Sequence, residues 1–306
     1  MRRLVSPLIV VIFLSGSSSA ADLSSRKVSE NTSLPSWTGF YVGMNSGAML
    51  GNGSVDFSSH PYYARQGAVV GNTANDSTYA STVALTSSST LPINNYGSFI
   101  GGVQLGYNWR IVDRAIFSLE TDAQGIAGSS SNSVTRMPVA IVPNANDNAV
   151  ALSFLNASRS LDFLGTVRGR LGYLIFPSIL TYATAGFSYG YANLNASSYQ
   201  AVIRTPTTNP SNPRVQLNYG SAPFNGITVG WVAGAGFEWM VFKNWSLKTE
   251  YLYYDVGAPN VNSGSTSRII LQDQGQNTLL WSNMSRAQSD IYGHIIRVGI
   301  NYSFSP

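Results

Sequence analysis

Three short stretches each carry a pair of charged residues two positions apart. They are Glu120 and Asp122 in IFSLETDAQG, Arg168 and Arg170 in LGTVRGRLGY, and Lys248 and Glu250 in SLKTEYLYYD. Glu238 in GAGFEWM and Arg297 in IIRVGIN stand in similar surroundings. Two neighbouring carboxylates could act as general acid and base. Residues two apart in a strand leave the same face, however, and four acids beside four bases suit an ion network better. Support for catalysis elsewhere is thin. The chain has no cysteine, and its only histidines are His60 and His294. His60 stands in SHPYYA with Tyr62 and Tyr63, and both residue types can ligate haem iron. That makes a candidate haem site, weighed against a loop histidine that binds nothing. His294 reads as an interfacial residue. GGVQLG opens no helix and so is no phosphate loop. No metal site and no cofactor are expected.

The charged pairs sit in segments that alternate with period two, the signature of β-strands. In SLKTEYLYYD, Ser246, Lys248 and Glu250 oppose Leu247, Thr249, Tyr251 and Tyr253. Phe99, Val103, Leu105, Tyr107 and Trp109 oppose Gly102, Gln104, Gly106 and Asn108; Phe117, Leu119 and Thr121 oppose Ser118, Glu120, Asp122 and Gln124. Leu161, Phe163, Val167, Leu171 and Tyr173 oppose Asp162, Thr166, Arg168, Arg170 and Gly172. Ile227, Val229, Trp231, Phe237 and Trp239 oppose Gly230, Gly234, Gly236 and Glu238. Ile296, Val298, Ile300, Tyr302 and Phe304 oppose Arg297, Gly299, Asn301 and Ser303. WTGFYVGMNSGAML and LTYATAGFSYGYA alternate less clearly, and the faces of the second stay open. Eight strands result. Short links near 110–115, 175–179 and 242–244 alternate with long polar segments at 51–95, 129–157, 196–225 and 258–289, to which no secondary structure is assigned. Short turns at one end and long loops at the other are the pattern of an eight-stranded antiparallel transmembrane β-barrel, with turns in the periplasm and loops outside.

Composition agrees. Only 10% of residues are charged, against about 25% in soluble domains. No segment reaches the roughly 18 apolar residues of a membrane-spanning helix. The amino terminus, with Arg2, Arg3, the apolar run Leu8 to Leu14 and Ser18-Ser19-Ala20, has the layout of a secretory signal peptide over residues 1–20. A periplasmic tether at 21–36 and the barrel with its loops at 37–306 follow. The formal charge of +4 falls to +2 once Arg2 and Arg3 are removed, too little and too scattered for nucleic acid. Without cysteine, the exported fold must close without disulfides.

Size assigns the faces. An eight-stranded barrel has an interior just wide enough to be filled by side chains. The bulk of Trp109, Trp231, Trp239, Trp245, Phe99 and Phe117 does not fit that lumen. The glycine-rich polar face leaves room for Arg168 and Arg170. A lipocalin-like soluble barrel with the apolar face inward is therefore the weaker alternative, although Gly101, Gly165 and Gly169 fall on the apolar side. Trp37, Trp109, Tyr173, Trp239, Trp245 and Tyr302 gather near the short turns and termini, as an aromatic girdle at a lipid interface would. Glu120, Asp122, Arg168, Arg170, Glu238, Lys248, Glu250 and Arg297 then face the lumen. If Val241 pairs with Trp245, Glu238 lies opposite Lys248. Two readings stand: a salt-bridged plug, or a constriction that opens and selects ions.

The blocks WTGFYVG (37–43), GGVQLGYNW (101–109), LGTVRGRLGY (164–173), ATAGFSYG (183–190), GWVAGAGFEW (230–239), NWSLKTEYLYYDVG (244–257) and IIRVGINYSF (295–304) resemble the α-proteobacterial outer-membrane β-barrel surface proteins. That family includes immunogenic and haemin-binding members, and the resemblance covers all eight strands but not the loops. It implies a small OmpA-like, porin-like barrel in the outer membrane. Its expected contacts are outer-membrane lipid, the barrel-assembly machinery and a host or surface ligand at the loops. No haem-binding pattern of the family maps onto this chain. Such barrels usually end on an aromatic residue that the assembly machinery reads. Here Phe304 fills that role but is followed by Ser305-Pro306. The resulting expectation is a structural and surface-interaction barrel and not an enzyme, with a small porin as second reading and haem or ligand capture by the loops as third.

Overall fold

Three two-residue turns, Asp113-Arg114, Pro177-Ser178 and Lys243-Asn244, fold consecutive strands back on one another at one end of the molecule. Backbone bonds tie these turns to neighbouring strands, from Leu174 N to Arg114 O (2.8 Å), Met240 N to Ser178 O (2.8 Å) and Ser303 N to Asn244 O (2.8 Å). They belong to a computed structural model that describes residues 36–66, 88–92, 97–128, 131–136, 140–143, 147–206, 210–211, 214–257, 260–269 and 278–304. The signal-peptide reading of residues 1–20 and nearly all of the tether lie outside the described residues.

The described strands are β1 (Gly39–Asn52), β2 (Ser54–Gln66), β3 (Ser89–Pro92), β4 (Ser98–Val112), β5 (Ala115–Ala127), β6 (Ser131–Arg136), β7 (Ala140–Pro143), β8 (Asp147–Phe176), β9 (Ile179–Pro206), β10 (Arg214–Phe242), β11 (Trp245–Asp255), β12 (Asn260–Ile269), β13 (Thr278–Ser289) and β14 (Tyr292–Phe304). Eight of them pair in the order β5-β4-β1-β14-β11-β10-β9-β8, and β8 returns to β5. The sheet is a closed antiparallel barrel. Closure leaves no free edge at its waist, so backbone groups are satisfied without water. β1 pairs with β14, which puts the start and the end of the barrel side by side at the turn end.

Alternation puts apolar side chains outside. Phe187 is 77% exposed, Val229 72% and Ile227 71%, a contiguous belt that water would not tolerate and lipid would. From Trp245 to Tyr253 the outward positions of β11 span roughly 20 Å of height at ~3.3 Å per residue and ~40° tilt, close to the band of known membrane barrels. Outward glycines fit this belt because aromatic rings lie over them. Phe99 sits 3.3 Å from where a Gly101 Cβ would be, and the Tyr189 ring covers Gly165.

Four expectations need correction. The long segments are not structureless, because β8, β9 and β10 run on for 30, 28 and 29 residues, well past the belt. Beyond it a second sheet, β12-β13-β2-β3, forms from the other segments. The two meet over a second core of Val55, Phe57, Leu91, Leu155, Ala157, Leu194, Ala196 and Ala287. That core is why polar Ser- and Asn-rich chain can hold strand structure here. Second, a register shift between Leu161 and Phe163 reverses the facing of β8, so Leu161 is buried and Asp162 exposed. Third, Trp245 pairs with Phe242 across an irregularity, yet Glu238 still lies opposite Lys248. Fourth, Trp37 does not belong to the outer girdle. It is buried with Ile116, Leu174, Leu180, Tyr182 and Met240, and its indole N–H donates to the Pro177 carbonyl at 2.9 Å. Preceding β1, it folds under the barrel and covers its turn end.

Candidate functional site in the barrel lumen

Inward positions stack in layers. At the turn end lies the apolar cluster around Trp37, Ile116, Leu174, Leu180, Tyr182 and Met240. Towards the loop end another apolar layer is built from Met49, Ile100, Leu161, Leu164, Ala192, Val232, Leu252, Tyr254, Val256, Ile291 and Ile295. Between them lie the charges. Glu120, Asp122, Arg168, Arg170, Glu238, Lys248, Glu250 and Arg297 are all buried, none above 2% exposed.

Glu120 is the hub. It accepts from Arg168, from Arg170 Nη1 at 2.9 Å, from Lys248 Nζ at 2.7 Å and from the Tyr41 hydroxyl at 2.6 Å. Arg168 also donates to Asp122 at 2.9 Å and to Glu250 at 3.0 Å. Arg297 bridges the same two acids, at 2.9 Å to Asp122 and 2.5 Å to Glu250. Glu238 accepts from Arg170 at 2.8 Å, Asn301 at 2.8 Å and Ser246 at 2.5 Å. Four cations face four anions, and the lumen is locally neutral. A buried charge is costly unless it is paired and hydrogen-bonded, and here each has several partners.

Glycine gives these side chains their room. Beside Arg168, Glu120, Lys248, Glu250 and Arg297, the second cross-strand neighbour is Gly186, Gly106, Gly299, Gly236 and Gly47 respectively. A Cβ on Gly186 would come within 2.6 Å of the Arg168 Cα, and one on Gly47 within 2.6 Å of the Arg297 Cα. The lumen is so narrow that charges reach across it. Lys248 therefore meets Glu120 on β5, while Glu238, its register neighbour, turns to Arg170 on β8.

Other lumen residues carry no signal in the charge pattern. The Arg170 guanidinium lies 3.8 Å from the Tyr182 ring centroid and 5.9 Å from that of Tyr41, stacked as a cation over aromatic faces. Gln104, which bonds Asn301, also accepts from Asn45 at 3.1 Å. Tyr41, Gly43, Asn45, Gly47 and Met49 alternate inward on β1, a pattern that the polar-glycine rule could have found. Tyr182 lay hidden because both faces of β9 carry aromatics; the even positions, Leu180 to Ala192, point inward.

The remaining candidates fall elsewhere. Trp109, Tyr173, Trp239 and Trp245 are 43–53% exposed on the outer surface near the turns, with Tyr302 half-buried against Trp245 (ring centroids 5.1 Å) and Phe304 (5.1 Å). Phe304 ends β14 opposite Phe40. His294 faces outward, with its Nδ1 2.7 Å from the Tyr251 hydroxyl. His60, Tyr62 and Tyr63 lie on β2, opposite Met284, Ser282 and Trp281 of β13, but their side chains lie outside the described residues. Among the described residues no group of three His, Cys, Asp or Glu is placed to hold a metal ion.

A closed eight-stranded barrel, with an apolar outer belt and its charges turned inward, is a transmembrane β-barrel. The chain belongs to the family described as outer membrane protein beta-barrel domain, which matches residues 9–304. It is similar to the 31 kDa outer-membrane immunogenic proteins of Brucella melitensis biotype 1 and Brucella suis biovar 1. Each is 27% identical over 312 residues, covering 99% of this chain and 100% of the relative. Among solved structures, OprG of Pseudomonas aeruginosa overlaps 88% of this chain and 97% of its own, at 11% identity and a TM-score of 0.30. An overlap that slight carries no inference. The barrel resides in the outer membrane.

Proposed function

We propose that this protein is a closed outer-membrane scaffold that presents its β-structured extracellular extension for surface interactions. The observation that carries this reading is the filled lumen: one ionic layer between two apolar ones, with the extension core above them. A small solute would have to break at least eight ion pairs and then cross two layers that cannot solvate it. Hydrophobic constrictions block ions by dewetting even without the charges. The porin reading needs all of these layers to move together. Catalysis finds no opening either, because the lumen carboxylates are spent on cations and enclosed. On this reading residues 1–20 direct export, Phe304 addresses the assembly machinery, and the aromatic positions hold the barrel at lipid headgroup level. Liposomes containing the refolded protein should swell in arabinose no faster than empty ones; swelling at a porin's rate would defeat the proposal.

A further inference from the structure

The chain passes repeatedly between two apolar cores, the lower one around Met49 and the upper one in the extension. Among the described strands the passage is interrupted in five places. Met49 of the lower core is on β1 and Val55 of the upper on β2, and the two strands part at Gly53. Leu91 on β3 and Ile100 on β4 are separated by the gap between Pro92 and Ser98. β13 ends at Ser289 after Ala287, and β14 starts at Tyr292 after Ile291. β11 ends at Asp255 and β12 starts at Asn260, while β5 ends at Ala127 and β6 starts at Ser131. Gly97, Gly128 and Gly257, in three of these gaps, have φ of +40°, +80° and +78°, a backbone that side chains strain to adopt. β8, β9 and β10 run through, and β9 and β10 stay paired without a break from Arg204 and Arg214 to Ile179 and Trp239. Above the gaps β12 lies against β10 and β3 against β6, so the extension is a body around its own core. A body held by one continuous edge and five interrupted strands is built to pivot on that edge, because a few element-terminal residues absorb the change in φ and ψ.

One side chain ties the continuous edge to the far wall. On β8, Leu155 and Ala157 belong to the upper core and Leu161 to the lower; Arg159, between them, is buried. β8 and β14 stand four places apart in the ring of strands, on opposite sides of the lumen. Arg159 spans that distance. Its Nη1 donates to the Asp290 carbonyl at 2.6 Å and to the Ser289 hydroxyl at 3.5 Å, at the junction of β13 and β14. Gly53 lets it arrive, since a Cβ there would collide with both the guanidinium and the Asp290 carbonyl. Unlike the arginines of the ionic layer, Arg159 makes no ion pair among the described residues. A cation buried on hydrogen bonds alone has given up hydration that it regains when the walls part, so the tie holds without locking. From this arrangement we infer that the ring of strand breaks is a hinge and that Arg159 latches it, fixing the angle at which the extension stands on the barrel. The hinge does not depend on what the extension binds or on whether the lumen conducts.

The chain has no cysteine, so spin labels on introduced pairs report alone, and double electron–electron resonance of the refolded protein in detergent reads the distances between them. Asp56 is exposed on β2, across the ring from β9; Asn195 is exposed on β9, and Lys243 in a turn at the other end of the barrel. The pair Asp56→Cys/Lys243→Cys therefore crosses the hinge on its interrupted side, and Asn195→Cys/Lys243→Cys on its continuous side. With Arg159 in place both pairs should give one narrow distribution. Arg159→Met should widen the first at least two-fold and leave the second unchanged. Gly53→Ala keeps the cation but displaces it, and should widen the first pair in the same way; it carries the test if the methionine variant does not refold. Unchanged width of the first pair in the variant read overturns the hinge. So does widening of both pairs, which marks an extension that comes apart instead of turning. A first pair already broad with Arg159 in place removes the latch, and failure of both variants to refold would make Arg159 part of the folding core instead.

Discussion

Glu120→Ala is expected to cost the refolded barrel about 3–5 kcal/mol or more, the usual effect of removing one partner from a buried ion pair. Arg168, Arg170 and Lys248 all donate to this carboxylate, so its loss takes a shared counter-charge from three buried cations and leaves the layer with a net positive charge. Glu120→Gln keeps two of the hydrogen-bonding positions but not the charge, and should fall between wild type and alanine. Replacing Glu120 and Lys248 together by Gln and Met should recover part of the loss, since the extra cation leaves with the acid. Urea unfolding in detergent, followed by tryptophan fluorescence, reads all four proteins. Alanine within 1 kcal/mol of wild type would mean that the ion layer is hydrated and not the closed network described above.

Leu155→Ala acts on the other core. Leu155 is fully buried between β8–β9 and the second sheet, and the cost of truncating such a leucine is about 2–5 kcal/mol. The damage should stay in the extension, because the barrel closes through β5–β8 and β1–β14 well away from it. Limited proteolysis should then cut the extension at least ten-fold faster while the membrane barrel keeps its folded gel mobility. Loss of the whole barrel would show that the two cores fold as one unit.

The eight charged residues were legible because strand alternation and the glycine-rich polar face both pointed them inward. Glycine at 106, 186, 236 and 299 leaves space, and long side chains next to space are affordable only where they find one another. The facing of Leu161 and Asp162 was not legible, since a one-residue register shift reverses a strand without altering its composition. Trp37 was misplaced for a different reason: an aromatic before the first strand can lie on the lipid surface or fold under the barrel, and only the Pro177 carbonyl decides. Most was hidden in the long segments. Their Ser and Asn content argued for loops, yet Phe57, Leu91, Leu155 and Leu194 bury themselves across strands far apart in sequence. The inward apolar residues Met49, Leu164, Leu252 and Ile295 escaped for the same reason, because each seemed an ordinary member of an alternating strand until the lumen closed around them.

That closure changes what the ion network is expected to do. Were it the sole obstruction, deleting Arg168 and Arg170 would open a pore; with apolar layers on both sides it should not. The decisive measurement is single-channel recording in planar bilayers, comparing wild type with Arg168→Ala/Arg170→Ala and with the same variant carrying Leu252→Ser and Met240→Ser as well. A closed scaffold predicts silence from wild type and from the arginine variant, with current confined to the variant opened in all three layers. Discrete steps from the wild type, shifted in ion selectivity by the arginine change, would contradict the account and make the lumen a pore.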